Sequence, residues 1–139
     1  MEIERVTSLD LAKKLIIHDP VRPHINECVR IAPGREMYHI NKLAGLCFVY
    51  LDCIPATEEE LLTHNVGDIV VAYSVWSLQK GLGRKIILDG LKLIQETWRF
   101  KRFVTLSPKT DMAMKFHLSN GAKLIHTNQF SNNFEYSLK

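Results

Sequence analysis

The sequence predicts an α/β fold, a single domain with a mixed, partly antiparallel central sheet flanked by helices. The segment from Asp68 to Trp76 is apolar on both faces, which is typical of a central strand buried on two sides. A long amphipathic helix and a further strand follow it, and this order forms a β-α-β unit with parallel strands. Upstream, two strand patterns joined by Asn41-Lys42 predict an antiparallel hairpin.

Length and composition indicate one soluble globular domain spanning residues 1–139. A chain of 139 residues can bury roughly two thirds of its unfolded surface, so one core forms without disulfides or metals. Apolar residues make up 46% of the chain, and no apolar stretch approaches the roughly 18–20 residues of a membrane helix. The net charge of +3 is scattered and does not predict nucleic-acid binding. No signal-peptide pattern is present, so we expect a cytoplasmic protein, and a homodimer stays open.

The chain begins with a predicted helix that Thr7 or Ser8 caps and that continues to about Ile17, because apolar residues recur at helical spacing. Asp19-Pro20 ends this helix. The stretch from Val21 to Gly34 contains two prolines and is predicted mainly as loop.

The next elements are two strands and a short helix. Arg35 to Ile40 and Leu43 to Asp52 are predicted as strands on either side of the hairpin turn. Thr57 is followed three residues later by Glu60, a capping-box pattern that opens a short helix between Pro55 and His64.

The central strand and the helix after it carry the strongest periodic signals. Strict alternation places Ile69, Val71, Tyr73 and Val75 on one face of the strand and Val70, Ala72, Ser74 and Trp76 on the other. A helix from Leu82 to about Arg99 is predicted by an apolar stripe opposed by charged residues. The stripe consists of Leu82, Ile86, Ile87, Leu91, Ile94 and Trp98.

The C-terminal third predicts a strand, a helix and two closing strands. Arg102 to Leu106 forms the first strand, and Thr110 to Asn120 forms a helix for which Gly121 is the C-terminal glycine cap. Lys123 to Thr127 and Asn133 to Leu138 are the closing strands.

A segment with two glycines, Gln79-Lys80-Gly81-Leu82-Gly83-Arg84-Lys85, joins the central strand to the long helix. Glycines allow the backbone to approach a ligand closely, and the free amides at a helix N-terminus favour a phosphate or pyrophosphate. A dinucleotide fingerprint requires a glycine at Ile86, and a P-loop requires Lys followed by Ser or Thr, so neither motif is present. A plain strand-to-helix turn is the structural alternative.

The same segment resembles the coenzyme A loop of the GNAT superfamily of acyltransferases. That loop has the pattern R/Q-x-x-G-x-G/A, and its backbone amides hold the coenzyme A pyrophosphate. Gly81-x-Gly83 matches the two glycines, whereas Leu78 occupies the Arg/Gln position and the glutamine is displaced to Gln79.

Within that superfamily, residues from about Arg35 to Leu138 resemble the C-terminal catalytic domain of malonyl-CoA decarboxylases. The motifs that carry this resemblance occur in the same order. They are Tyr73-Ser74-Val75 with the loop Gln79-Lys80-Gly81-Leu82, then Thr105-Leu106-Ser107-Pro108, Phe116-His117-Leu118-x-Asn120-Gly121-Ala122, and Asn133-x-x-Tyr136-x-Leu138. Two features differ: this sequence has no counterpart of the helical N-terminal domain of those decarboxylases, and Gly83-Arg84 replaces their Arg-Gly order.

The resemblance implies a binding site for an acyl-coenzyme A, with acetyl-CoA as the first candidate. The coenzyme is expected to contact the loop, the end of the central strand and two residues near the predicted C-terminal helix. These residues are Val75, Gln79, Lys80, Gly81, Leu82, Gly83, Arg84, Lys85, Ser107 and Asn120.

His117 and Ser74 are the candidate catalytic residues that the resemblance implies. His117 occupies the slot where many GNAT acetyltransferases have a tyrosine that protonates the coenzyme A thiolate, and a histidine with a pKa of about 6.5 can serve as acid or base. Ser74 lies where the acyl group would reach, and its hydroxyl can hydrogen-bond the acyl carbonyl or a malonyl carboxylate. Structural roles stay open for both, as a helix-end histidine stabilised by the helix dipole and as a serine satisfied by backbone.

Three functions stay open, and acetyl transfer from acetyl-CoA to an unidentified amine ranks first. In that reaction, strand amides near Val75 stabilise the oxyanion and His117 protonates the departing thiolate. The second function is decarboxylation of malonyl-CoA by Ser74 and His117. The third is a non-catalytic module that binds coenzyme A or a protein partner.

The cysteines and the other histidines predict neither a disulfide nor a metal site. Cys28, Cys47 and Cys53 are odd in number and show no C-x-x-C spacing. The five histidines other than His117 show no H-x-x-x-H spacing, so they are expected at the surface or in loops and no metal is predicted.

Overall fold

A computed structural model describes residues 1–97 and 100–138 of the chain. The predicted helix end at Trp98 and Arg99 lies outside these residues. Within the described part, the chain forms five α-helices and one mixed sheet of eight strands. In chain order the elements are β1 (Ile3–Arg5), α1 (Leu9–Ile16), α2 (Glu27–Arg30), β2 (Arg35–Ile40), β3 (Ala44–Leu51), α3 (Glu58–Thr63), β4 (Ile69–Ser77), α4 (Leu82–Thr97), β5 (Arg102–Thr105), β6 (Ser107–Pro108), α5 (Asp111–Ser119), β7 (Lys123–Thr127) and β8 (Ser131–Tyr136).

The sheet confirms the predicted mixed, partly antiparallel architecture. Strands β1 to β4 pair in sequence and antiparallel, and β4 pairs in parallel with β5 after the crossover helix α4. Strand β8 then pairs antiparallel with β5 and β6 along one edge and with β7 along the other. The predicted β-α-β unit is therefore β4-α4-β5.

The hairpin between β2 and β3 has the tight turn that the sequence predicts. Asn41 and Lys42 both have positive φ, 48° and 61°, which is the backbone of a two-residue type I′ turn. The amide of Lys42 also donates to Nδ1 of His39 at 3.1 Å. His39 is buried within β2, so the expectation that it lies at the surface or in a loop was wrong.

A β-bulge in β4 changes which residues share a face. Cys47 pairs with Ser74 and Phe48 pairs with Ala72, so Tyr73 is the extra residue of the bulge. The extra residue reverses the alternation beyond this point. The predicted faces were therefore right up to Tyr73 and wrong after it. Trp76 packs with Val71 and Tyr73, whereas Val75 packs with Val70 and Ala72.

The helix ends follow the predicted capping residues. Side chains of Ser8, Thr57 and Thr110 accept hydrogen bonds from the first turns of α1, α3 and α5. At the other end of α5, Gly121 has a φ of 96°, and the amide of Ala122 donates to the carbonyl of His117 at 3.1 Å, as in a Schellman motif.

Three short elements were not predicted. Strand β1 pairs with β2, helix α2 lies inside the stretch that was predicted as loop, and the two-residue strand β6 follows β5. Asn26 caps α2, and the buried side chain of Arg30 occupies its last position. Strand β8 also begins at Ser131 and ends at Tyr136, two residues earlier at each end than predicted.

The core lies on both sides of the sheet. Helix α4 covers one side with its apolar stripe, of which Ile86, Ile87 and Ile94 are fully buried. Burying an isoleucine side chain stabilises the fold by about 1.5–3 kcal/mol, so this stripe holds α4 firmly on the sheet. Helix α1 packs on the opposite side with Ala12 and Leu15. No helix in the described part of the chain combines the length and the apolar character needed to cross a bilayer.

Candidate functional site

A cleft of about 360 Å³ opens where β4 and β5 separate. The two strands pair only from Ile69 to Ala72 on β4, and the bulge at Tyr73 follows directly. Beyond it, the end of β4 forms one wall and the segment from Leu106 to Pro108 with the first turns of α5 forms the other. The loop after α1 also contributes, through His18, Pro20 and Val21.

Ser74 lines this cleft with a hydroxyl that lacks a protein partner. The residue is 2% exposed, and its Oγ has no hydrogen bond to any described residue. A buried hydroxyl without a partner costs about 1–3 kcal/mol. Such a group at a cleft wall is suited to receive a hydrogen-bonding group of a ligand.

His117 lies on the opposite wall and is held through both ring nitrogens. Its Nε2 is 3.1 Å from Oγ of Ser107, and its Nδ1 is 2.7 Å from the hydroxyl of Tyr136. The imidazole also stacks on Phe134, with ring centroids 4.9 Å apart. Only 4% of the residue is exposed, so the ring is fixed in one orientation.

The neighbouring donors determine which nitrogen of His117 carries the proton. The side-chain amide of Asn120 donates to the Tyr136 hydroxyl at 3.4 Å, which leaves that hydroxyl free to donate to Nδ1 of His117. A neutral imidazole that accepts at Nδ1 carries its proton on Nε2 and donates to Ser107. Ser107 in turn lies 2.8 Å from Oγ1 of Thr105, so a buried chain of hydrogen bonds leads from Asn120 to β5.

Burial sets the charge of these groups. Burial lowers the pKa of His117 to about 4. Burial also raises the pKa of Tyr136 to about 12, although the Asn120 hydrogen bond and the charge of Arg84 act in the opposite direction. Both groups are therefore neutral near pH 7.

The loop between β4 and α4 presents free backbone amides beside the cleft. Gly81 has a φ of 88°, a conformation that favours glycine. In the first turn of α4, the backbone amides of Leu82 and Lys85 donate hydrogen bonds to loop carbonyls. The backbone amides of Gly83 and Arg84 have no acceptor among the described residues. Gly83 also lines the cleft. Free amides at the start of a long helix, here sixteen residues, are groups that favour a negatively charged ligand.

Three cations lie on this loop and in the first turn of α4, and they differ in their surroundings. Arg84 donates to the carbonyl of Ser119 at 2.9 Å and lies 3.4 Å from Oδ1 of Asn120, so it connects α4 to the end of α5. Lys85 pairs with Asp89 at 2.6 Å. Lys80 is exposed and has no ion-pair partner within the described part of the chain.

The structure brings some of the residues implied by the resemblance together and separates others. The cleft is lined by Ser74, Val75, Gly83, Ser107 and His117. Gln79, Lys80, Gly81, Arg84 and Lys85 lie on the loop and the helix start, and Leu82 is buried in the core.

Two residues that the resemblance implies for the coenzyme have other contacts in the structure. Asn120 is not part of the cleft wall and connects Arg84 to Tyr136. Ser107, expected beside the coenzyme, contacts His117.

Two site features were missed from the sequence. Tyr136, the partner of His117, was not among the predicted site residues, and the closing motif was the signal that could have identified it. The loop residues His18, Pro20 and Val21 carry no motif, and only the fold places them at the cleft.

Comparisons with known proteins show which fold this is. Neither a protein-family model nor a curated protein matches the sequence. Among solved structures, the chain is similar to malonyl-CoA decarboxylase from Agrobacterium vitis, with a TM-score of 0.80 and 16% identity over 99% of this chain and 60% of that protein. It is also similar to the loading GNATL domain of CurA from Lyngbya majuscula, with a TM-score of 0.72 and 13% identity over 97% and 96% of the two chains.

An acetyltransferase from Thermus thermophilus is a third similar structure, with a TM-score of 0.66 and 8% identity over 99% of this chain and 98% of that one. The chain thus matches the whole length of the GNATL domain and of this acetyltransferase, but only 60% of the decarboxylase. These structures show that the chain shares their fold.

Proposed function

Because this fold is the GNAT fold, we propose that the protein is an enzyme that binds an acyl-coenzyme A at the start of α4 and converts its acyl group in the cleft. The free amides of Gly83 and Arg84, the positive end of the helix and the exposed Lys80 are suited to the pyrophosphate. Gly83, Ser74 and His117 all line the cleft, so a coenzyme held at the start of α4 would have its thioester within the same cleft as these two side chains.

The reaction that the geometry supports best is decarboxylation of a malonyl thioester to an acetyl thioester. The unpartnered hydroxyl of Ser74 is the observation that carries this proposal. In the apolar cleft it would donate to the thioester carbonyl or to the malonyl carboxylate. The bond between the carboxylate carbon and the α-carbon breaks, carbon dioxide leaves, and the electron pair forms a thioester enolate. The α-carbon of this strongly basic enolate then takes up a proton from solvent to give the acetyl thioester.

His117 would act in this reaction as a neutral hydrogen-bond donor. An Nε2 proton next to the cleft can stabilise an enolate oxygen, directly or through the hydroxyl of Ser107. A buried neutral donor is suited to an oxyanion because no water competes for it. From the sequence we expected an acid with the ordinary histidine pKa. Because burial lowers the pKa of His117 to about 4, we propose a neutral donor in its place.

Acetyl transfer to an amine is the second candidate. It is favoured by the match to the whole length of the Thermus thermophilus acetyltransferase. It ranks lower because transfer requires no role for the Ser74 hydroxyl, which has no hydrogen-bond partner among the described residues. The acceptor amine is not indicated by any feature of the cleft.

The test is to incubate the protein with malonyl-CoA and with acetyl-CoA separately, without an amine, and to measure acetyl-CoA and free coenzyme A by chromatography. We expect conversion of malonyl-CoA to acetyl-CoA, and we expect Ser74→Ala to lose this conversion. Ser137→Ala, at an exposed serine outside the cleft, is the matched control and should retain it.

Two other outcomes would overturn the decarboxylase proposal. Acetyl-CoA consumption that occurs only when amines are added would assign the protein to transfer. Binding of coenzyme A without any turnover would indicate the non-catalytic module.

A further inference from the structure

A group of metal-ligating side chains lies outside the cleft. Asp52 and Cys53 follow β3, and His64 is the residue at the C-terminal end of α3. One carboxylate oxygen, the Cys53 sulfur and one imidazole nitrogen all lie within 4.8 Å of one another. None of these three residues lines the cleft, so the group is separate from the proposed catalytic site.

Backbone contacts hold the two segments of this group together. The amide of Asp52 donates to the carbonyl of Asn65 at 3.0 Å, which joins the end of β3 to the loop after α3. Gly67 packs against the same place so closely that a Cβ there would lie 2.4 Å from Cα of Asp52. The three side chains therefore start from fixed backbone positions.

Glu60 is close to this group but has another role. Its Oε2 lies 3.6 Å from Nε2 of His64 and accepts a hydrogen bond from the amide of Ala56 at 2.7 Å. The set of ligands is therefore one sulfur, one imidazole nitrogen and one carboxylate. It arises from two segments of the chain, which is why no H-x-x-x-H spacing is present.

The chemistry of the set favours a divalent transition metal. Thiolate, imidazole and carboxylate are the ligands of tetrahedral zinc, whose bonds are about 2.0–2.3 Å long. Cys53 and His64 are half-buried and Asp52 is exposed, so an ion can reach them from solvent. A bound dication would neutralise the Asp52 carboxylate and bind Cys53 as the thiolate, with release of a proton.

We propose that Asp52, Cys53 and His64 form a binding site for Zn²⁺ or a chemically similar divalent transition metal ion. An ion bound there would connect the end of β3 to the end of α3. Metal binding would therefore stabilise the folded chain by preferential binding to it.

The probe for this site is Co²⁺, added to the full chain after treatment with a chelator. We expect one ion per chain and an absorption band from charge transfer between the Cys53 thiolate and cobalt, which Zn²⁺ then removes by displacement. Cys53→Ser should lose this band. His64→Gln should weaken Co²⁺ binding by at least about tenfold, because removing even an outer-shell partner typically costs that much.

Cys28→Ser is the matched control, because Cys28 is exposed in α2 and lies outside the group. It should retain the band and the affinity. The proposal is overturned if Cys53→Ser keeps the band, or if the wild-type chain shows no stoichiometric Co²⁺ binding. If Cys53→Ser fails to fold, unchanged Co²⁺ affinity in His64→Gln overturns it instead.

Discussion

At the scale of single residues, the environment of His117 decides the chemistry of the cleft. The sequence supplies a histidine at the right position of α5, and the fold adds two hydrogen-bond partners and nearly complete burial. Those additions could not be predicted from sequence, because Ser107 and Tyr136 reach the ring from different strands. They convert an ordinary acid-base residue into a fixed neutral donor.

We predict that His117 is a single neutral tautomer with its proton on Nε2. The Tyr136 hydroxyl selects this tautomer by donating to Nδ1, so Tyr136→Phe should release the ring into a mixture of both tautomers. Nitrogen-15 NMR of the imidazole measures this directly and does not depend on any activity. Tyr38→Phe is the matched control, because the Tyr38 hydroxyl donates to Glu36. An Nδ1 proton in the wild-type protein would contradict the prediction.

The burial of His117 also predicts how stability depends on pH. Its folded pKa of about 4 lies below the unfolded value of about 6.5, so the unfolded chain takes up the proton first as the pH falls. The stability that neutral His117 contributes is present above about pH 6.5 and is lost as the pH falls towards 4. The loss is on the order of 3 kcal/mol.

Urea unfolding of wild type and His117→Gln at pH 7 and pH 4 measures this effect. The wild type should lose more unfolding free energy between the two pH values than the variant does. His126→Gln, at an exposed histidine of β7, should behave like the wild type. An identical pH dependence in wild type and His117→Gln would show that burial does not perturb this histidine.

At the scale of secondary-structure elements, most of the fold follows from sequence patterns. The amphipathic stripe of α4, the capping residues and the hairpin turn all gave correct elements because each depends on local chemistry. The bulge at Tyr73 could not be predicted, because an apolar strand with two buried faces reads the same in either register. Its position matters for the site, since the β4–β5 pairing ends beside it and the cleft opens there.

The start of α4 predicts a specific effect on coenzyme A binding. Coenzyme A at about 100 times its Kd should stabilise the wild-type chain by about 2.7 kcal/mol, measured as a rise in Tm. A Cβ on Gly83 would lie 3.3 Å from the Phe116 ring, and the larger side chain of Gly83→Val would also enter the cleft. We therefore expect Gly83→Val to abolish the rise in Tm.

Gly34→Ala provides the control for this experiment. Gly34 has a φ of 80° in the turn before β2 and does not line the cleft, so alanine there introduces backbone strain of about 1 kcal/mol away from the loop. The variant should have a lower Tm than wild type and the same rise with coenzyme A. A full rise in Gly83→Val would show that the coenzyme does not bind at this loop.

At the scale of the whole molecule, long-range hydrogen bonds hold the walls of the cleft together. Arg22 donates to the carbonyl of Leu106 at 2.9 Å and so fixes the loop after α1 against the end of β5. Arg84 makes the corresponding connection between α4 and the end of α5. Sequence patterns predicted the motifs on each element. The two contacts, however, join residues that are 84 positions and 35 positions apart in the sequence, so no local pattern indicates them.

A buried ion pair lies within the segment that follows α1 and contributes residues to the cleft. Arg30 of α2 donates to Oδ2 of Asp19 at 2.8 Å, and both side chains are 0% exposed. The guanidinium also donates to the carbonyls of Ile25 and Arg22, at 2.9 and 2.5 Å. One arginine thus satisfies a carboxylate and two backbone groups within the segment that follows α1.

Removing that arginine should destabilise the whole domain. Arg30→Met leaves the Asp19 carboxylate buried without its cation, and breaking a buried pair in this way costs about 3–5 kcal/mol. A domain of this kind has a total stability of about 5–15 kcal/mol, so the midpoint of urea unfolding should fall steeply. Arg5→Met is the matched control, because Arg5 is half-exposed and 3.8 Å from Glu36, and such a pair contributes at most about 1 kcal/mol. Equal unfolding midpoints for the two variants would mean that Asp19 finds another partner or water when Arg30 is absent, and the loop beside the cleft would then not depend on this ion pair.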